Sequence, residues 1–176
     1  MKLAADVIIV GGGVSGCAAA AALVQNNPSL RVLVLEARAG HKPRFAGELI
    51  HPTGAQVLDE LGFTPALRAA GGIEVDGFAV VREQDAAPTM LPYREIPRAR
   101  PTGFAMEHRD LCQTMRDVVA ARPGVTLRFG QKVEEVLRTP AGRACGVRTQ
   151  DGELLARLVL GCDGRHSKIR PLLALP

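Results

Sequence analysis

The stretch VIIVGGGVSGCAAAAALVQNN, residues 7–27, changes character twice, and each change has a physical reason. Asp6 to Val10 is a short, continuous β-branched run of the kind that forms a strand buried on both faces of a parallel sheet. Glycines follow at once. From Val14 to about Gln25 the chain is rich in alanine, a strong helix former whose small side chain permits close approach to a sheet. NNPSL, residues 26–30, stops that helix, and RVLVLE, residues 31–36, reads as a second parallel strand. The pattern predicts a βαβ unit of about thirty residues and an α/β fold class.

Gly11, Gly13 and Gly16 form a G-x-G-x-x-G turn between that strand and that helix. The first glycine allows the tight turn, the second lets the backbone approach a pyrophosphate, and the third permits close helix packing. The helix N-terminus adds free N–H groups and a positive dipole end. Glu36 closes the second strand twenty residues after Gly16, where a carboxylate accepts hydrogen bonds from ribose hydroxyls. Strand, glycine turn, helix and terminal acid in this order point to a bound dinucleotide. The motif does not separate FAD from NAD, and Glu36 disfavours NADP because it repels a 2′-phosphate.

With 176 residues, 47% of them hydrophobic, the chain buries a real core and is expected to fold as one domain, with room for a small satellite layer. The net charge is +4, yet the 22 Lys and Arg are scattered and only one Tyr and no Trp offer a stacking surface, which argues against nucleic acid. Cys17, Cys112, Cys145 and Cys162 form no CxxC pair, so reduced thiols in a cytoplasm are the simpler reading than a zinc ribbon or disulfide scaffold. Cys162 reads as a small buried filler rather than a nucleophile. His41, His51, His108 and His166 read as loop residues without metal-ligand spacing, and no metal site is expected. Asp6 and the glycines interrupt the N-terminal apolar run, so it is neither a signal peptide nor a membrane span.

Residues 37–52 carry Gly, Pro and Arg without periodicity and read as a long loop. A helix is expected from Thr53 as N-cap, with Val57, Leu58 and Leu61 at helical spacing before Gly62 ends it. Pro88, Pro92, Pro97 and Pro101 break residues 73–105 into short apolar pieces, an antiparallel excursion with irregular edges. From Arg109 to about Ala121, Leu111, Met115, Val118 and Val119 define one apolar helical face. VTLRF, KVEEVLR, RACGVRT and ELLARLVL then read as strands, the last two joined through QDG in a tight hairpin.

Six separated segments, VIIVGGGVSG, LVLEA, PRFAGELIHPTG, LPY, HRDLCQTMR and GCDGRHSKIR, occur in the order and approximate spacing of FAD-dependent monooxygenases with the p-hydroxybenzoate hydroxylase-type fold. Among these the chain resembles the squalene epoxidases most. The resemblance implies a Rossmann-like, glutathione reductase-type FAD-binding domain with a parallel sheet plus antiparallel β excursions. Residues 1–176 would be its N-terminal portion, with 73–105 reaching toward a substrate domain.

Carried over residue by residue, the resemblance implies that Glu36, with Ala37 beside it, holds the adenosine ribose, and that Arg44 lies beside the flavin or its phosphates. Gly11, Gly13, Ser15 and Gly16 would meet the pyrophosphate, and Arg109 would bind the same region as a fork. Val133 would offer backbone contacts near the adenine. Asp163 and Gly164 would approach the ribityl or pyrophosphate part. Tyr93 matches a tyrosine near the flavin and is the candidate catalytic residue. His51 stands where squalene epoxidases place a glutamine, a departure that bears on how Tyr93 is positioned.

The implied activity is a monooxygenase or epoxidase reaction that uses NAD(P)H and O2 to oxygenate an organic, apolar substrate on bound FAD. Alternatives are a flavin-dependent halogenase or prenyl reductase of the same fold, or a non-catalytic, truncated FAD-binding module. The downstream GD segment of the family does not occur within these residues, so the chain alone is expected to recognise the ADP half of FAD without enclosing the isoalloxazine. Membrane association stays open.

Overall fold

The computed structural model describes residues 2–40, 46–83 and 87–174. In chain order its elements begin with β1 (Val7–Val10), α1 (Val14–Asn26), β2 (Val32–Glu36), β3 (Gly47–Ile50), α2 (Pro52–Glu60) and α3 (Thr64–Ala69). Next come β4 (Ile73–Val75), β5 (Gly77–Val80), β6 (Thr89–Pro92), a 3-10 turn at Tyr93–Glu95, β7 (Gly103–Glu107) and α4 (His108–Ala120). The chain continues through β8 (Val125–Phe129), β9 (Val133–Arg138), β10 (Ala144–Thr149), β11 (Gly152–Leu155), β12 (Leu158–Gly161) and α5 (Ile169–Leu172). They fall into two compact units, one formed by residues 1–42 and 115–176 and the other by residues 43–114.

The first unit is built on a parallel sheet in the order β12-β1-β2-β8. Val7, Ile8, Ile9 and Val10 register with Val32, Leu33, Val34 and Leu35, and all eight are buried. Alternation explains why both strands are apolar at every position. Ile8, Val10, Leu33 and Leu35 share a core with Val133, Val136, Val147 and Ala156 from the antiparallel sheet β11-β10-β9 and its exit. Val7, Ile9, Val32 and Val34 point the other way, toward α1, whose Gly16 comes close enough that a Cβ there would meet Ile9 at 3.4 Å. Alanines on α1 keep that contact flat: Ala20 and Ala21 are fully buried.

Three details differ from the sequence-based expectations. Residues 37–52 are not one loop, because Gly47–Ile50 pairs antiparallel with β7 as strand β3. The helix after it opens two residues early: His51, not Thr53, is the N-cap, Pro52 lies in the first turn and Thr53 lies inside. Proline suits that place because its missing N–H would have no intrahelical partner there. ELLARLVL is two strands, since Ala156 and Arg157 carry the chain from the hairpin partner of β10 into the parallel sheet beside β1. The hairpin itself forms, turning over Gln150 and Asp151 before Gly152 at φ 117.

The second unit holds the antiparallel sheet β3-β7-β4 and the β5-β6 hairpin. Phe63, Leu67, Phe104 and Leu111 are its most buried large side chains. Gly72 is required there, since a Cβ would stand 2.3 Å from the Phe104 ring. Arg100 donates to Asp59 at 2.6 Å and to Glu74 at 2.7 Å, and Arg68 also pairs with Glu74. The Arg68 hydrogen bond, followed by that of Thr102, holds the Glu74 carboxyl below its ordinary value.

Gly11 sets the geometry of the first unit's sheet. Its φ is +108°, and a Cβ on it would stand 2.3 Å from the carbonyl oxygen of Cys162. Gly11→Ala is therefore expected to destabilise the chain by about 1–3 kcal/mol, read as a lower urea midpoint at unchanged slope.

Candidate cofactor site

The carboxyl ends of β1, β2 and β12 converge on one place, the end of a parallel sheet at which α/β folds bind ligands. Strand β1 runs into Gly11–Gly13, and the Gly11 N–H donates to Leu35 O at 2.8 Å. Cys162 N–H donates to Val10 O at 2.7 Å, which brings the GCDG turn against the glycine turn. The two motifs, distant in sequence, meet within one unit.

Each glycine of the motif has a different reason. A Cβ at Gly16 would collide with Gly11 O at 1.9 Å, so the helix lies as close to the turn as backbone allows. A Cβ at Gly13 would meet nothing within 4 Å. The protein's own packing does not demand glycine there, and an approaching diphosphate does. Gly13 is also the N-cap of α1, which has no side-chain cap and no acidic residue in its first turn. The leading N–H groups and dipole of a thirteen-residue helix are thereby left to an anion. Ser15 is exposed in that first turn.

Glu36 ends β2 beside the turn. Its Oε2 accepts the Gly12 N–H at 2.9 Å and its Oε1 accepts the Arg38 N–H at 3.0 Å. A carboxylate has about four acceptor positions, so Glu36 retains capacity for ribose hydroxyls. Ala37 is the exposed residue next to it. The chain leaving β8 runs alongside, with Gln131 N–H donating to Glu36 O at 2.9 Å. Val133, two residues on, buries its side chain in the core and opens β9.

Arg116 escaped the sequence reading. Its side chain is 8% exposed, its Nε donates to Gly12 O at 2.6 Å, and its Nη2 lies 3.4 Å from Glu36 Oε2. A lone arginine on the polar side of an amphipathic helix carries no sequence signal that separates it from a solvated one.

Asp163 holds its own turn. Oδ1 accepts the Ser167 hydroxyl at 2.6 Å, while Oδ2 accepts the N–H groups of Lys168 at 2.5 Å and Ile169 at 3.1 Å. Burial pushes this carboxyl up, but those hydrogen bonds, led by Ser167, outweigh it and hold the group below its ordinary value. Gly164 follows at φ +84°. For Cys162, burial first and the Asp163 charge second push the thiol up, which disfavours a nucleophilic role.

Tyr93 and Arg109 belong to the second unit. Tyr93 is buried, its hydroxyl is 3.1 Å from His51 Nδ1, and its ring meets Phe78 edge-on at 5.7 Å. Arg109 is exposed and pairs with Asp110 at 3.1 Å. His108 is no loop residue: it opens α4, with Nδ1 2.7 Å from Glu48 Oε1 and Nε2 3.6 Å from Cys112 Sγ. Arg44 lies outside the described residues. Among the described residues no group of His, Cys, Asp or Glu converges to hold a metal ion.

Parallel sheet, glycine turn, open helix N-terminus and acid at the end of β2 define a dinucleotide-binding α/β domain. The chain belongs to the FAD binding domain family, whose model matches residues 4–176. Squalene epoxidase of Aspergillus fumigatus is 30% identical over 171 residues, covering 94% of this chain and 35% of that protein. A squalene monooxygenase of Panax ginseng is 33% identical over 175 residues, covering 97% and 32%. Among solved structures, a probable FAD-dependent monooxygenase of Pseudomonas aeruginosa superposes with a TM-score of 0.81 at 25% identity, over 98% of this chain and 46% of its own. The chain thus spans about a third of the length of these curated relatives.

Asp163 gives the site a pH signature. A carboxyl depressed on folding lends stability that is complete above its ordinary value of 3.8 and is lost as pH falls through the depressed one. Asp163→Asn, which cannot accept at both positions, is expected to cost about 1 kcal/mol at pH 7, and the gap to wild type should narrow as pH falls below 3.8; thermal melting across that range checks this.

Proposed function

We propose that the chain is the FAD-binding part of a flavin monooxygenase that oxygenates an organic, apolar substrate with NAD(P)H and O2. The observation that carries the reading is the open N-terminus of α1 beside Gly13 with Glu36 at the end of the neighbouring strand. Gly11, Gly13, Ser15 and Gly16 would hold the diphosphate through backbone N–H groups, and Glu36, beside Ala37, the adenosine ribose. Arg44 and Arg109 are assigned to the phosphates, and the backbone of Val133 to the adenine. Asp163 would serve by shaping the turn that ends at Gly164, since its own carboxylate oxygens already cap that turn.

The chemistry FAD supplies when bound is redox: electrons from NAD(P)H reach O2, one oxygen atom goes to the substrate and the other leaves as water. The chain's own contribution is to bind and orient. Tyr93 is assigned a place beside the reacting centre, where its hydroxyl is aimed by His51 and its ring by Phe78. The exposed Phe78, Val80, Met90 and Leu91 on the same hairpin support an apolar substrate. Four free cysteines fit a reducing cytoplasm. Among the described residues no helix is long and apolar enough to cross a membrane.

Two outcomes check this reading. ADP should displace FAD from the chain with an affinity within about tenfold of FAD's own, and Gly13→Ala should weaken both by about tenfold or more while costing less than about 1 kcal/mol of stability. FAD binding that ADP does not compete for would sink the assignment. In substrate-dependent NAD(P)H oxidation, Tyr93→Phe should lower kcat by about tenfold or more at unchanged flavin affinity.

A further inference from the structure

Among the described residues, Arg116 is the one charged side chain that is buried. It reaches from α4 to the carboxyl ends of three strands. Its Nε donates to the carbonyl of Gly12 after β1, its Nη2 faces Glu36 Oε2 at the end of β2, and its Cζ lies 5.4 Å from the centre of the Phe129 ring at the end of β8. The loop of contacts is closed, because the Gly12 N–H donates to the same Glu36 Oε2. One guanidinium therefore takes the carbonyl of the residue whose own N–H, in the preceding peptide, holds the carboxylate that the guanidinium also faces.

We propose that Arg116 is a positioning residue for ribose recognition, fixing Glu36 and the Gly12 backbone as one unit so that the carboxylate meets the adenosine diol already oriented. The inference rests on the FAD reading above and adds a residue to it. Two donors at fixed angles are needed to serve a carbonyl and a carboxylate together, which the planar guanidinium provides and an ammonium does not. Burial reinforces the arrangement, since a guanidinium out of water must keep its partners, and the face of Phe129 covers it on a further side. Holding Glu36 before the ligand arrives removes the ordering that recognition would otherwise require.

The test uses the chain with ADP and with 2′,3′-dideoxy-ADP, which lacks the hydroxyls that Glu36 would bind. Wild type should prefer ADP by about tenfold, as expected for hydrogen bonds to a charged acceptor. Glu36→Gln and Arg116→Met should each reduce that preference to about twofold or less, and the double variant should lose no more than either single one. If Arg116→Met does not fold, Arg116→Gln, which keeps a donor for the Gly12 carbonyl and removes the charge facing Glu36, is read in the same way. Loss of affinity for both nucleotides with the preference intact would mean that Arg116 is merely structural and would overturn the proposal. A wild type that binds ADP without preferring it would overturn the role of Glu36, and with it that of Arg116. No binding of ADP or FAD by the wild type would instead overturn the FAD reading itself.

Discussion

The backbone of Gly11 runs so close to the carbonyl of Cys162 that no side chain fits between them, and this contact governs the candidate site. It brings the end of β12 against the turn after β1, while the carbonyl of Gly11 fixes how near Gly16 and α1 can approach. Sheet, helix N-terminus and Asp163 turn are thereby locked together by backbone alone. Side chains then specialise the place: Glu36 and Arg116 on one side of the glycine turn, and Ser167 with Asp163 on the other.

The βαβ unit was legible because burial on two faces leaves a continuous apolar strand, and close helix packing leaves glycine and alanine. GCDG could be placed at the cofactor end only through the family resemblance, since nothing local says that β12 joins β1 rather than β11. Its boundary with β11 was hard to read for the same reason: ELLARLVL is mostly apolar with neither Gly nor Pro, and the change of sheet occurs at Ala156 and Arg157, residues with no turn signature. Strand β3 was hidden because four residues alternating between exposed and half-buried positions carry too little pattern. His51 and His108 looked like loop residues, yet each makes a specific contact, with Tyr93 and with Glu48 respectively. Such pairings span 42 and 60 residues of chain and leave no periodic trace.

The two units carry different side-chain chemistry. The first supplies main-chain donors, one acid and a buried arginine, a set suited to the polar half of a dinucleotide. Residues 43–114 hold the Tyr93–His51 contact and a hairpin on which Phe78, Val80, Met90 and Leu91 are exposed. Relatives about 30% identical to the chain carry names that record epoxidation and monooxygenation.

The most direct measurement is a titration of the isotope-labelled chain with ADP, followed through backbone amide resonances. Shifts should concentrate at Gly11, Gly13, Ser15, Gly16 and Glu36, the glycine turn, the first turn of α1 and the end of β2. The amino ends of the same strands carry an open concavity lined by Lys2, Ala4, Arg31 and Glu153, among others, with two cations that attract phosphate without a built site. Shifts centred there, with the glycine turn unmoved, would contradict the assignment of the cofactor site.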